Sequence, residues 1–102
     1  MAFNFKQVQQ LQNKIAKMQE ELERTSFTGT AGGSAVSVTM NGKYEITAVK
    51  LEKEAVDPED VTMLEDLILA ASKDAFAKAS EAQANMMSSI AGGMNLPPGF
   101  GL

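Results

Sequence analysis

The sequence has no cysteine and no histidine. Without cysteine there is no disulfide framework and no thiolate metal site, and a reducing compartment fits. Without histidine, the usual zinc sites, the Ser-His and Cys-His nucleophile pairs and the commonest general base are all excluded. No apolar run is long enough to serve as a signal peptide or to cross a membrane, so the expectation is a soluble, cytoplasmic protein without a membrane partner. Excess positive charge is also missing: 13 acidic and 9 basic side chains give a net charge of -4 over 102 residues. That balance favours neither a strongly basic nucleic-acid binder nor a disordered acidic tail. A chain of this length reads as one domain, 1–102.

What is present is organised around residues 58–91, which read as one long helix. Asp57 is a good N-cap, Pro58 suits the first turn, and Glu59 and Asp60 complement the positive end of the helix dipole. Gly92-Gly93 supply a stop, because glycine adopts the left-handed conformation that ends helices. At 1.5 Å per residue this is a rod of roughly 50 Å, longer than so short a chain needs for its own core. Val61, Leu64, Leu67, Ile68, Ala71, Ala75 and Phe76 form an apolar face in its first half. Beyond Phe76 the stripe thins to Ala79, Ala82, Met86 and Ile90, which suits close helix–helix contact.

Residues 4–24 read as a first helix. Val8, Leu11, Ile15, Met18 and Leu22 follow a 3, 4, 3, 4 spacing, a coiled-coil seam over two heptads. Lys6, Lys14, Lys17 and Arg24 project to the other side, and the first nineteen residues carry no acid. Such a stripe is either an ordinary solvated face or a basic surface for phosphate. Between the helices, residues 26–52 read as three antiparallel strands. Gly32-Gly33 mark a turn, and the Gly-rich stretch lacks the Gly-Lys-Ser/Thr of a phosphate cradle. Val36, Val38 and Met40 alternate with Ser37 and Thr39, and Asn41-Gly42 predicts a type I′ hairpin. In the returning strand Tyr44 and Ile46 have one parity, Val49 and Leu51 the other. That predicts a bulge or a strand buried on both faces. The tail, residues 92–102, holds Pro97-Pro98 and the apolar Leu96, Phe100 and Leu102, so it is either disordered or docked.

This is an α+β chain: an α-β-β-β-α subunit with a small antiparallel sheet and a long C-terminal helix. Three strands and one helix make a thin core. The seam of the first helix and Ala82, Met86 and Ile90 then need cover, which a homodimer or a helical hairpin would provide. Carboxylates are plentiful, yet no metal cluster, nucleotide loop or nucleophile–base pair can be assembled; Asp74 is placed to pair with Lys78 at i, i+4. Composition and spacing therefore point to a binding or assembly module, with no cofactor and no small-molecule substrate, and do not say what it binds.

Five segments carry a resemblance: Lys17-Met18-Gln19-Glu20-Glu21-Leu22, Thr28-Gly29-Thr30-Ala31-Gly32-Gly33, Asn41-Gly42, Met63-Leu64-Glu65-Asp66-Leu67 and Leu96-Pro97-Pro98-Gly99-Phe100. In order and spacing the chain resembles the YbaB/EbfC family of small bacterial nucleoid-associated DNA-binding proteins. The fourth and fifth segments are the most specific. The resemblance implies a tweezer-like homodimer whose helices project from a shared β core, located at the nucleoid, organising DNA and affecting gene expression. Charge and helical position, not a family motif, select Lys6, Lys14, Lys17 and Arg24 as contacts to duplex DNA, with Lys73 and Lys78 secondary. Contacts of this kind grip phosphates with limited sequence preference. The objection is the net charge of -8 for two copies of a chain that carries -4. Residues 1–53 hold seven basic and five acidic groups and residues 54–102 hold two and eight, a balance of +2 against -6. A protein-interaction adaptor that grips another protein with helical arms and the apolar tail is the alternative. Positive potential gathered on the helical tips favours DNA; uniformly negative arms favour the adaptor.

Overall fold

The structure, a computed structural model, describes residues 5–93. The tail beyond Gly93, with Leu96, Pro97-Pro98, Phe100 and Leu102, lies outside the described residues. The order of elements is α1 (Phe5–Arg24), β1 (Ser26–Ala31), β2 (Val36–Asn41), β3 (Ile46–Leu51), a 3-10 turn (Lys53–Ala55) and α2 (Val61–Gly93). The α+β reading and its α-β-β-β-α order hold. The molecule measures 69 × 26 × 16 Å, with a radius of gyration of 19.3 Å. A compact chain of this length would have about 13 Å.

The core lies between α2 and one face of the sheet. Val36, Val38 and Met40 point to that face and are buried, as their alternation predicted. Opposite them α2 presents Ala71, Ala75 and Ala79, one per turn and fully buried. Alanine at these positions lets the helix descend until backbone meets backbone. A Cβ on Gly29 of β1 would fall 2.2 Å from both the Ala71 carbonyl oxygen and the Ala75 nitrogen. Only glycine fits there.

Three local expectations are corrected. First, α2 starts at Val61, not at 58, and runs through Gly93. Asp57 caps a preceding turn instead, its Oδ1 accepting the Glu59 N–H at 2.9 Å. Asp60 takes the N-cap role, accepting the Met63 N–H at 3.2 Å. Two aspartates compete for one cap, and the one nearer the apolar stripe has it. Second, Asn41-Gly42 does not form a type I′ turn, because neither residue has positive φ; Tyr44 does, at 64°. The Tyr44 N–H donates to the Asn41 carbonyl at 3.0 Å, and Asn41 Oδ1 accepts the N–H groups of Lys43 and Glu45. This is a three-residue loop closed by a left-handed residue. Gly42 is required for another reason: a Cβ there would lie 2.2 Å from the Leu22 carbonyl at the end of α1. Third, Val61 and Phe76 are about half exposed and so lie outside the face that covers the sheet.

Strand β3 carries the bulge. Met40 pairs with Ile46 and Thr39 with Ala48, leaving Thr47 unpaired. Beyond it Val38 faces Val49 and Val36 faces Leu51. Ile46, Val49 and Leu51 therefore share the side of the sheet that α2 occupies. Yet α2 packs on β1 and β2 and barely reaches β3, so these three side chains stay exposed.

Candidate nucleic-acid interface

Lys6, Lys14, Lys17 and Arg24 take their positions from the seam of α1. Val8, Leu11, Ile15, Met18 and Leu22 are the half-buried residues of that helix; every other described residue on it is exposed. They face the far half of α2 within the same subunit. Leu11, Ile15 and Met18 line a cleft with Ser89 and Ile90, and farther along Met18 and Leu22 face Ala82 and Met86. The seam and the thin alanine–methionine stripe thus cover each other in an antiparallel helical hairpin that extends past the sheet. The junction is tied twice: Gly42 abuts the end of α1, and Gln83 Nε2 donates to the Gly42 carbonyl at 3.1 Å.

With the seam turned inward, the cations are held outward. Lys17 and Arg24 are exposed, and Lys14 edges the cleft with its stem beside Leu11 and Ile15. Lys6 is exposed in the first turn of the helix, one residue after its start. From Lys6 to Arg24 the helix rises roughly 27 Å. The arm has a charge pattern of its own. Its distal part, residues 5–19 of α1 and 90–93 of α2, contains Lys6, Lys14 and Lys17 and not one carboxylate, whereas Glu21 and Glu23 line clefts beside Ala82, Gln83, Asn85 and Met86 of α2. The acids collect elsewhere: Glu20, Glu21 and Glu23 near the base of the arm, and Asp57, Glu59, Asp60, Glu65 and Asp66 at the opposite end of α2. Glutamines and one asparagine (Gln7, Gln9, Gln10, Gln12, Asn13) fill the gaps between the lysines. Amide side chains commonly contact phosphate and sugar, and charge alone gave no signal for them.

Lys73 is exposed on α2, away from the arm. Lys78, the other secondary candidate, is half-exposed and has partners within the chain. Its ammonium donates to the Thr28 carbonyl at 2.7 Å and pairs with Asp74 at 3.4 Å, so it is engaged on β1 of its own chain. The Asp74–Lys78 pair is the one that i, i+4 spacing predicts. Asp74 also accepts the Thr30 N–H at 3.0 Å. That bond, with the Lys78 ammonium beside it, holds the Asp74 carboxyl below its ordinary value, although partial desolvation opposes the shift.

Among the described residues no group of three or more acidic, histidine or cysteine side chains could hold a metal, and no helix is long and apolar enough to cross a membrane. What the arrangement offers is a surface: an arm whose distal part is basic and free of carboxylates, carried on a thin β platform.

Comparison with known proteins gives the family. Residues 1–94 match the YbaB/EbfC DNA-binding family. A nucleoid-associated protein of Dictyoglomus thermophilum is 52% identical over 95 residues, covering 93% of this chain and 91% of that protein. One from Paramagnetospirillum magneticum is 53% identical over 97 residues, covering 95% and 91%. The crystal structure of an uncharacterized Helicobacter pylori protein shares the fold with a TM-score of 0.73 at 20% identity, over 87% of this chain and 98% of that one. The chain belongs to the YbaB/EbfC family of nucleoid-associated DNA-binding proteins, which is not an enzyme family.

Proposed function

We propose that the protein binds duplex DNA at the nucleoid as a homodimer, gripping phosphates with its helical arms and showing limited sequence preference. The observation that carries this is the charge of the arm. The distal part bears three lysines without a carboxylate in a chain whose net charge is -4. Segregation of this kind answers the objection from overall acidity and favours DNA over an adaptor. Lys6, Lys14 and Lys17 are the principal contacts, Arg24 and Lys73 lesser ones. Arg24 is surrounded by Glu20, Glu21 and Glu23 in sequence, and Lys73 lies off the arm. Cations spaced along a helix touch backbone phosphates without reading bases, and among the described residues no element presents side chains in the manner of a major-groove reader. Binding of this kind organises DNA and, through occupancy, modulates expression of nearby genes.

Pairing of two copies is supported by the uncovered side of β3. Ile46, Val49 and Leu51 on the α2 side of β3, and Leu69 and Phe76 on α2, are each 39–55% exposed. Tyr44 completes the patch, its ring 4.9 Å from that of Phe76. Six large apolar side chains on one face of so small a protein call for burial, and two-fold pairing buries both copies of the patch at once. In this reading the dimer contact lies on the sheet side and both arms are free to flank a duplex.

The test is fluorescence anisotropy with a labelled duplex at several salt concentrations, comparing wild type with a Lys6→Glu/Lys14→Glu/Lys17→Glu variant of unchanged oligomeric mass. Wild-type affinity is expected to fall steeply with salt. The variant should lose at least tenfold at low salt, and the slope of log affinity against log salt should drop by about one per lysine. Binding that survives the variant would move the site off α1. Absence of wild-type binding at low salt would leave the adaptor as the better reading.

A further inference from the structure

The sheet has two outer edges, β1 and β3, because its order is β1-β2-β3. In an antiparallel strand the N–H and C=O groups of every second residue point the same way. In β1, residues 28 and 30 therefore aim their polar groups outward, away from β2. An exposed row of this kind is a template on which another chain can add as a strand, and proteins commonly block it. Here the block is built from α2. Asp74 Oδ2 accepts the Thr30 N–H at 3.0 Å, Lys78 Nζ donates to the Thr28 carbonyl at 2.7 Å, and the two side chains pair with each other at 3.4 Å. One donor and one acceptor of the strand edge are thus met by one acceptor and one donor of a neighbouring ion pair. Among the described residues strand β3 has no such cover from α2, which barely reaches it.

We propose that the Asp74–Lys78 pair is an edge clip that closes β1 to a second copy of this chain, so that copies associate on the β3 side alone. The chemistry of the excluded partner is defined by the geometry. It is an extended strand whose backbone would offer a carbonyl to Thr30 and an N–H to Thr28, the two groups the clip already satisfies. With one side of the sheet closed, association through the other ends at a pair. With both open, each copy could accept a neighbour on either side and the assembly would have no natural end. The inference takes from the proposed function only that two copies associate.

The experiment is the mass of the protein by light scattering over a wide concentration range, for wild type and for an Asp74→Ala/Lys78→Ala variant. Wild type is expected to hold one mass. The variant is expected to climb with concentration to at least twice that mass. Adding Thr30→Pro should return it to the wild-type value, because proline removes the outward N–H and is tolerated on an edge strand. A folded double variant that keeps the wild-type mass throughout would overturn the clip. The mass of wild type itself tests the pairing, so the two readings fail separately. Should the double variant not fold, hydrogen exchange on wild type decides. A Thr30 amide exchanging as slowly as its ladder neighbours supports the clip, and one exchanging like an open-edge amide refutes it.

Discussion

Asp74 shows how one side chain can serve two elements. Its carboxylate is stabilised in the folded protein first by the Thr30 N–H and then by Lys78, so its folded pKa lies below the ordinary 3.8. A lowered acid contributes stability that is fully present above the ordinary value and is lost as pH falls through the lowered one. The melting-temperature difference between wild type and Asp74→Asn should therefore be constant near neutrality and shrink towards zero in acid, below about pH 4. Thermal melts from pH 7 to pH 2 read this directly; a difference that persists unchanged at pH 2 would place the effect of Asp74 elsewhere. At this same scale the sequence was partly legible. The i, i+4 spacing of Asp74 and Lys78 predicted their pairing, but nothing local predicted Thr28 and Thr30 as further partners, because those contacts span more than forty residues of chain. Asn41-Gly42 was misleading for a similar reason. The dipeptide reads as a turn needing positive φ, whereas the glycine is there to make room for the Leu22 carbonyl.

Helix packing was legible where periodicity rules and illegible where backbone approach rules. The 3-4 spacing of Val8, Leu11, Ile15, Met18 and Leu22 marks the half-buried side of α1 residue for residue. Its partner within the subunit could not be read from spacing, which is silent about whether the covering helix belongs to the same copy. Ala71 and Ala75 were read into the apolar face of α2 and Ala79 into the thinner stripe beyond it, yet the three form one row, the most buried line of the helix. Small side chains there shorten the distance between helix and sheet, and Gly29 completes the contact. Gly29→Ala is thus expected to cost about 1–3 kcal/mol or more through overpacking, since backbone atoms rather than a flexible side chain stand in the way. Urea denaturation measures it, and a loss below about 0.5 kcal/mol would mean that α2 can lift off β1 without penalty.

At the scale of the molecule, length does what bulk does in larger proteins. A thin sheet anchors one half of α2, and the other half pairs with α1 to carry charge away from the acidic end. The patch of Tyr44, Ile46, Val49, Leu51, Leu69 and Phe76 contains none of the distal lysines, so the proposed pairing can be disrupted without removing a proposed DNA contact. Phe76→Asp places a charge in the centre of the proposed contact at a half-exposed position. It should halve the mass seen by light scattering while the far-ultraviolet circular dichroism stays helical. It should also weaken DNA binding by at least tenfold, because one arm then acts where two did. A variant that keeps its mass would move the contact away from this flank.

The bulge at Thr47 has a consequence for how this strand tolerates changes of length. Thr47 stands outside the ladder, its hydroxyl donating to the Thr39 carbonyl at 3.4 Å. Ile46 and Val49 are three apart, an odd spacing that would place them on opposite sides of a regular strand. The extra residue absorbs the mismatch and gathers both with Leu51. A chain shortened by Thr47 would pair Ile46 with Met40 and Ala48 with Thr39 as before, and every side chain would keep its side. A chain shortened by Lys50 would turn Leu51 to the opposite face. Within β3, then, a one-codon deletion is silent at the bulge and disruptive two or three positions later.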